Sequence, residues 1–292
     1  MAIEGGFAPH GSMLLHYYLP RADLRDFVRA YYLFETETAT MQPLAAELGN
    51  IRCLLRGGGK FHFADGRIAP FAPTLLIGPT MGAYMLEADA GTRAFGVSIM
   101  PRGWRQLLGV SAEELTDRVV DLTALAGRAA RSTGEEIANA PDLPSMAAAA
   151  DRFFLFLLRE RENMAAPYPT ALEQWLLNPN DLDLDALVDM MDVSRRQTDR
   201  IAKQFFGASP KLLQRKYRSL RAAGRILFGG AANWADAAGP AFYDQSHFIK
   251  EFRTFIGASP RDFGRTPGAL VTKVQRGRHE LIIGSARPTP IL

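Results

Sequence analysis

One cysteine, Cys53, in 292 residues excludes a disulfide framework within the chain and fits a reducing compartment. Metal chemistry has little to work with. Five histidines (His10, His16, His62, His247, His279) stand far apart, and without further thiols they make no ligand set of the usual zinc spacing. No metal and no cofactor is therefore expected. Long apolar runs are also missing: the most apolar stretch, 145–158, is broken by Asp151 and Arg152, too short and too charged to span a bilayer. The first eleven residues hold no basic region followed by an apolar run, so no signal peptide is read and the expectation is cytoplasmic, without a membrane partner. Gly57-Gly58-Gly59-Lys60 lacks the outer glycine and the Ser/Thr of a phosphate loop. It reads instead as a hairpin turn.

Apolar residues make up 47% and charged residues 22%, an ordinary globular balance at a length that accommodates two cores. The first half alternates short strand-like runs, at 14–19, 51–56, 60–64, 74–78, 83–88 and 93–100, with Gly/Pro/Asp breaks. Between the first two, 23–30 reads as a helix leading into Tyr31, Tyr32 and Phe34. Such aromatics suit a core more often than a ligand cavity. After Met100 the period becomes helical at 103–108, 111–117, 122–138 and 145–163, with Ser111 and Glu114 in capping-box spacing. The prolines at 167 and 169 mark a domain boundary, because they cannot continue a helix. The pattern predicts an α+β domain at 1–165, an antiparallel sheet or barrel with flanking helices, then an all-α domain at 170–265. A basic, loosely ordered tail is expected at 266–292.

Net charge is only +3, but it is unevenly spread. Between 194 and 225 ten basic residues face one acidic residue, giving +9, so the rest of the chain carries 3 − 9 = −6. A basic block in an acidic remainder suits a nucleic-acid contact, although a solvated helix face would look the same. Hydrophobic spacing separates the two readings. Leu184, Leu187, Val188 and Met191 make one apolar stripe, and Thr198, Ile201, Ala202 and Phe205 repeat it after a short turn. Ser194, with Gln197 three residues on, caps the second helix. Helix, tight turn, capped helix is the helix-turn-helix arrangement.

Opposite the apolar stripe, Arg196, Asp199, Arg200 and Lys203 share a face, with Arg195 beside them. Arginine pairs bidentately with guanine, and lysine neutralises phosphate. Asp199 either accepts from a cytosine amino group or pairs with Lys203, the commoner outcome. Fifty residues on, Phe205-Phe206-Gly207-Ala208-Ser209-Pro210-Lys211 recurs as Phe255-Ile256-Gly257-Ala258-Ser259-Pro260-Arg261. Each glycine closes a helix in a left-handed cap, and each serine-proline pair opens the next. In the second unit Phe248, Phe252 and Phe255 face inward, leaving Gln245, Ser246, Lys250 and Arg253 outward. His247 reads as a packing or phosphate-contacting residue.

Residues 182–264 resemble the DNA-binding domain of AraC/XylS-type transcriptional regulators. The resemblance rests on Leu187 with Met191-Asp192-Val193-Ser194-Arg195-Arg196-Gln197, on Phe206 to Pro210, and above all on Phe242-Tyr243-Asp244-Gln245-Ser246-His247-Phe248 with Phe252, Arg253 and Gly257 to Pro260. It implies two helix-turn-helix subdomains joined by a long helix at about 210–228, their recognition helices at about 194–206 and 244–256 entering successive major grooves. It also implies base-facing positions at Arg195, Arg196, Asp199 and Arg200, and at Gln245, Ser246, Ile249 and Lys250. The sequence departs from the family at Gly239-Pro240, which stops or kinks the preceding helix near Ala238. The second unit is thus expected to contact phosphate more than bases. Less closely, Leu24 to Tyr32, Ile77-Gly78-Pro79, Gly96 to Gly103 and Leu108 to Leu122 are similar to sensor-like domains preceding such modules, which implies effector sensing or dimerisation.

The sequence thus predicts a non-enzymatic, sequence-specific transcriptional regulator whose partner is double-stranded DNA. A small-molecule effector, a second copy and RNA polymerase stand as further candidate partners. The competing reading is a small-molecule-binding or enzymatic N-terminal barrel with an appended regulatory DNA-binding module. It needs convergent polar groups or a metal, and the sequence displays neither.

Overall fold

Strand propensity in the first half is realised as two antiparallel sheets. The computed structural model describes residues 13–161, 167, 169–178, 183–231, 233–239, 242, 244–266 and 269–283. Its strands are β1 (Met13–Tyr18), β2 (Val28–Thr36), β3 (Thr40–Leu44), β4 (Asn50–Arg56), β5 (Gly59–His62), β6 (Ile68–Pro70), β7 (Thr74–Ile77), β8 (Tyr84–Ala88), β9 (Arg93–Ile99) and β10 (Val119–Asp121). One sheet has the order β1-β2-β9-β4-β7-β10, the other β3-β8-β5-β6. Tyr17, Tyr32, Phe34, Phe61, Tyr84 and Leu86 share the core that both sheets contribute to.

The helix expected at 23–30 is reduced to a 3-10 turn at Ala22–Leu24, and Val28 to Ala30 belong to β2. The reason is burial on both faces. Tyr31 and Leu33 point to one core and Tyr32 and Phe34 to the other, so the run is continuously apolar in the manner of a central strand. The expected Gly57–Gly59 hairpin is also corrected. β4 pairs with β7 and β9, whereas β5 pairs with β6 and β8, so the glycines turn the chain from one sheet to the other. Gly59, at φ 151°, lies where an added Cβ would sit 2.2 Å from the Glu87 carbonyl oxygen. The short strands β3, β6 and β10 were not foreseen.

Helices back the six-stranded sheet: α1 (Gly103–Gln106), α2 (Ala112–Leu115), α3 (Thr123–Asn139) and α4 (Leu143–Glu160). The Ser111 N–H donates to Glu114 Oε1 at 3.3 Å, fixing the start of α2. Asp142 Oδ1 accepts from the Ser145 N–H at 2.8 Å and starts α4. That helix buries Met146, Phe153, Phe154 and Leu157, each worth about 1.5–3 kcal/mol when fully removed from water. Cys53 is buried in the same core, which pushes its thiol up to about 12, as expected of a small apolar group rather than a nucleophile.

The helical half comprises α5 (Thr170–Leu177), α6 (Leu184–Met191), α7 (Arg195–Phe206), α8 (Pro210–Phe228), α9 (Trp234–Ala238), α10 (Gln245–Ile256), α11 (Pro260–Arg265) and α12 (Leu270–Ile283). The anticipated 210–228 helix is α8 to the residue. The expected boundary falls partly outside the described residues, as do Pro240 and Tyr243. α5 was not foreseen; its Trp175 is buried, with Nε1 donating to the Asp183 carbonyl at 2.8 Å. The tail differs from the loose order expected of it, being helical over Leu270–Ile283. Leu270, Val271, Thr272 and Gln275 are buried because α12 lies against β1 and β3, which are edge strands of the two sheets and gain cover from it.

One lysine ties the halves together. Lys216, in α8, is 2% exposed, and its Nζ donates to the carbonyl oxygens of Glu47 at 2.6 Å and Thr80 at 2.9 Å. Thr80 and Glu47 also bond to each other through main chain and hydroxyl. Replacing Lys216 by Met removes the donor from buried acceptors, at a cost of about 2 kcal/mol. Calorimetry should show the unfolding midpoint falling by roughly 4–8 °C. An unchanged midpoint would show that this contact contributes nothing to stability.

Candidate nucleic-acid interface

The first unit is built from local caps. Asp183 accepts from the Asp185 N–H at 3.0 Å and starts α6. That helix ends at Asp192, in a left-handed conformation with φ 50° and ψ 41°, which Asp tolerates better than most residues. Ser194 Oγ then accepts from the Gln197 N–H at 3.3 Å and starts α7. Thr198, Ala202, Phe205 and Phe206 are buried, Ile201 is half-buried, and Arg195, Arg196 and Arg200 are exposed. Asp199 and Lys203 are half-buried and paired with each other at 2.9 Å, the commoner of the arrangements weighed for Asp199. This carboxylate holds the Lys203 ammonium above the ordinary lysine range through its hydrogen bond and charge. Arg195 reaches Asp185 at 3.1 Å, but both side chains are largely exposed, so the pair is weak and readily exchanged for another anion.

The second unit repeats the scheme on a shorter support. α9 has five residues where α6 has eight, and stops at Ala238 as the Gly239-Pro240 pair requires. Gly239 follows at φ 62° and ψ −163°. Asp244 Oδ1 accepts from the His247 N–H at 2.8 Å and starts α10. Phe248, Phe252, Phe255 and Ile256 are fully buried, while Gln245, Ser246, His247, Lys250 and Arg253 are exposed. Ile249 is half-buried and leans on the core, so less of it is offered outward. The His247 ring lies 5.8 Å from that of Phe242, consistent with a packing role.

Much of the basic block does structural work that its charge did not reveal. Arg215 makes a bidentate pair with Glu251 of α10, both bonds 2.8 Å. Arg221 donates to the Leu176 carbonyl at 2.8 Å and so caps α5. Arg225 donates to the carbonyls of Ala237 and Ala238 at 2.7 and 2.8 Å, satisfying the end of the short α9. Lys216 is held by the N-terminal domain. The cations left exposed on the two recognition helices are thus Arg195, Arg196, Arg200, Lys250 and Arg253. Spacing could not separate these from the rest of the block, since capping arginines carry the same charge.

Both recognition helices end against the sheet domain. Gly207 and Gly257 adopt φ 83° and 82°, the left-handed caps that the repeated segment predicted. Thr116 Oγ1 donates to the Gly207 carbonyl at 2.8 Å. The N–H groups of Ala46 and Ala83 donate to the carbonyls of Phe255 and Thr254 at 2.7 and 2.8 Å. A Cβ on Gly207 would come 2.4 Å from Thr116 Oγ1, and one on Gly257 2.9 Å from Pro43 Cβ. The glycines therefore serve the docking as well as the turn.

Glu251 has 6% side-chain exposure, and the hydrogen bond from Arg215 holds its carboxyl below the usual glutamate range. A depressed folded-state value means the pair contributes above the unfolded value, about 4.3, and is lost as pH falls through the folded one. Glu251→Gln should cost about 1–2 kcal/mol at pH 7 once the exposure of Arg215 is discounted. Urea titrations should show the difference from the parent shrinking below about pH 4. A difference independent of pH would rule out the ion pair as its source.

The helix-turn-helix domain family matches residues 187–266, and a domain of unknown function (DUF6597) matches residues 16–121. No curated protein matches the chain. Among solved structures, ToxT from Vibrio cholerae is 9% identical, covering 80% of this chain and 97% of its own with a TM-score of 0.47. ToxT of strain SCE256 with an unsaturated fatty acid bound is 11% identical, covering 80% and 94%, also at 0.47. An RmlC-like cupin protein from Desulfovibrio desulfuricans is 15% identical and covers 34% of this chain and 96% of its own, at 0.25. TM-scores this low carry no functional weight. The family match, however, falls on the segment where the geometry places both capped units: residues 187–266 are a helix-turn-helix domain of the AraC/XylS type, and the chain is a DNA-binding transcriptional regulator.

Proposed function

We propose that α7, with its cap at 194–206, and α10, at 244–256, read successive major grooves on one face of a promoter. The observation that carries this reading is the matched pair of faces. Each helix buries its apolar stripe and leaves Arg195, Arg196 and Arg200, or Gln245, Ser246, Lys250 and Arg253, exposed. In α7, Arg196 and Arg200 supply guanine readout, Arg195 supports them, and Lys203, partly neutralised by Asp199, approaches phosphate. In α10, Gln245 and Ser246 reach base edges, with Ile249 in a minor apolar role, and His247, Lys250 and Arg253 serve the backbone. The five-residue α9 supports the second unit less rigidly, so specificity rests mainly on the first.

The domain scheme assigned to this function is a sensor or dimerisation domain over 1–165, the DNA-binding domain over 170–265, and the following segment as an accessory. An effector, a second copy of the chain and RNA polymerase are its further partners, the cytoplasm its location, and no enzymatic activity is assigned to it. What supports the sensor role is a space between the sheets lined chiefly by apolar side chains, the usual character of a small-molecule site.

Arg200→Ala should weaken binding to the native promoter by about 1–3 kcal/mol and relax discrimination at one base position. Fluorescence anisotropy on a set of single-base promoter variants measures both. Affinity should also fall linearly in log–log terms as salt rises. Equal loss on every DNA sequence would assign Arg200 to phosphate contact alone.

A further inference from the structure

Equivalent positions on the two reading helices meet different surroundings. Shifted by fifty residues, Lys203 of α7 becomes Arg253 of α10, and each is the basic residue in the last turn of its helix. Their carbonyls accept from the N–H groups of Gly207 and Gly257 at 2.9 and 3.0 Å. Both cations therefore stand one turn before a glycine cap that docks on the sheet domain. What that domain presents to each of them is not the same.

α2 lies along the end of α7. At its close the Thr116 hydroxyl holds the Gly207 carbonyl, and in its first turn Glu113 sets a carboxylate oxygen 3.9 Å from Lys203 Nζ. Asp199 holds the same ammonium at 2.9 Å from within α7. One positive charge thus stands between two negative ones, leaving that place a net −1. The side chains of Lys203 and Glu113 are 37% and 57% exposed, so the pair adds little to stability and is readily exchanged. Its effect falls on DNA instead. A phosphate approaching Lys203 finds the cation already neutralised and meets a further carboxylate that repels it.

Arg253 faces a cleft of about 530 Å³ between α10 and the sheet domain. Asp65 and Asp117 line the same cleft, but both are engaged within their own domain. Arg67 holds Asp65 at 2.6 Å, and Asp117 Oδ1 accepts from the Met81 N–H at 2.8 Å. The two units therefore differ in how freely their matched cations meet a DNA backbone.

We propose that Glu113 is an affinity-determining residue for DNA, competing with the phosphate backbone for Lys203 and lowering the sequence-independent part of binding by the first unit. The proposal rests on the placement of α7 and α10 on DNA argued above and adds a residue of the sheet domain to it. Arg196 and Arg200 read bases, so discrimination among sequences does not depend on Glu113. With its backbone contact muted, the first unit holds DNA chiefly through bases, while Arg253 gives the second a fuller backbone contact. By linkage, DNA that draws Lys203 to phosphate loosens its contact with Glu113 to the same extent.

The test uses the full chain, with fluorescence anisotropy on the native promoter and on a scrambled duplex of equal length. Glu113→Gln should tighten both about threefold, and Glu113→Lys, which moves the charge twice as far, about tenfold. The log–log salt dependence should steepen by up to about 0.9 in the lysine variant, as for one more phosphate neutralised. Lys203→Met should cost less than about twofold in the parent but about threefold beside Glu113→Gln. An equal cost in both backgrounds would overturn the competition for Lys203. A gain confined to the native promoter would overturn it too, by assigning Glu113 to the geometry of base readout. Promoter binding indifferent to both Glu113 variants would remove the proposal and leave the reading of α7 and α10 intact. A parent chain that binds neither duplex would remove both.

Discussion

The buried ammonium of Lys216 sets the relation between the two halves of this regulator. It stands on α8, between the two reading units, and is satisfied by the carbonyls of Glu47 and Thr80 in the sheet domain. A buried cation is tolerable only where acceptors are fixed in place, so the lysine orders the loops that receive it as much as they hold the lysine. Glu47 is also one wall of the space between the sheets. One residue thus has its carbonyl on the DNA-binding domain and its side chain towards the space between the sheets.

The recognition helices are positioned from their rear ends. Gly207 and Gly257 close α7 and α10 with the same backbone geometry, and each approaches the sheet domain too closely for a Cβ. Anchoring at the carboxyl ends leaves the amino-terminal turns exposed, where Arg195, Arg196, Gln245 and Ser246 stand. The amino-terminal residues of a helix lying in a major groove are those that reach base edges. Movement of the sheet domain would therefore be felt by both units at once.

Much of this was legible in the residues. The repeated Gly-Ala-Ser-Pro segment specified two glycine caps and two serine-proline helix starts, and each is present with its hydrogen bond. These are local interactions, closed within four residues, and local sequence suffices to read them. Strands β1, β4, β5, β7, β8 and β9 were legible as short strand-like runs between Gly/Pro/Asp breaks, which is local information too. Val28–Thr36 was not, because a strand buried on both faces has no alternation to set it apart from a helix, and its partner β9 is distant in the chain. Gly57–Gly59 looked like a hairpin because a turn residue does not reveal whether the next strand returns to the same sheet.

By itself, then, the sequence determined the kind of protein: the paired helix-turn-helix units, their caps, their inward stripes and the candidate reading faces. Tertiary structure decided which charges remained for DNA. Arg215, Lys216, Arg221 and Arg225 are drawn inward by Glu251 and by carbonyls lying between 36 and 169 residues away for the first three, and 12 or 13 for Arg225. It also turned an expected loose tail into α12, whose side chains became buried only because two sheet edges and the end of α8 lie together in space. Charge and composition are properties of a segment, whereas burial is a property of its surroundings, and only the fold supplies those.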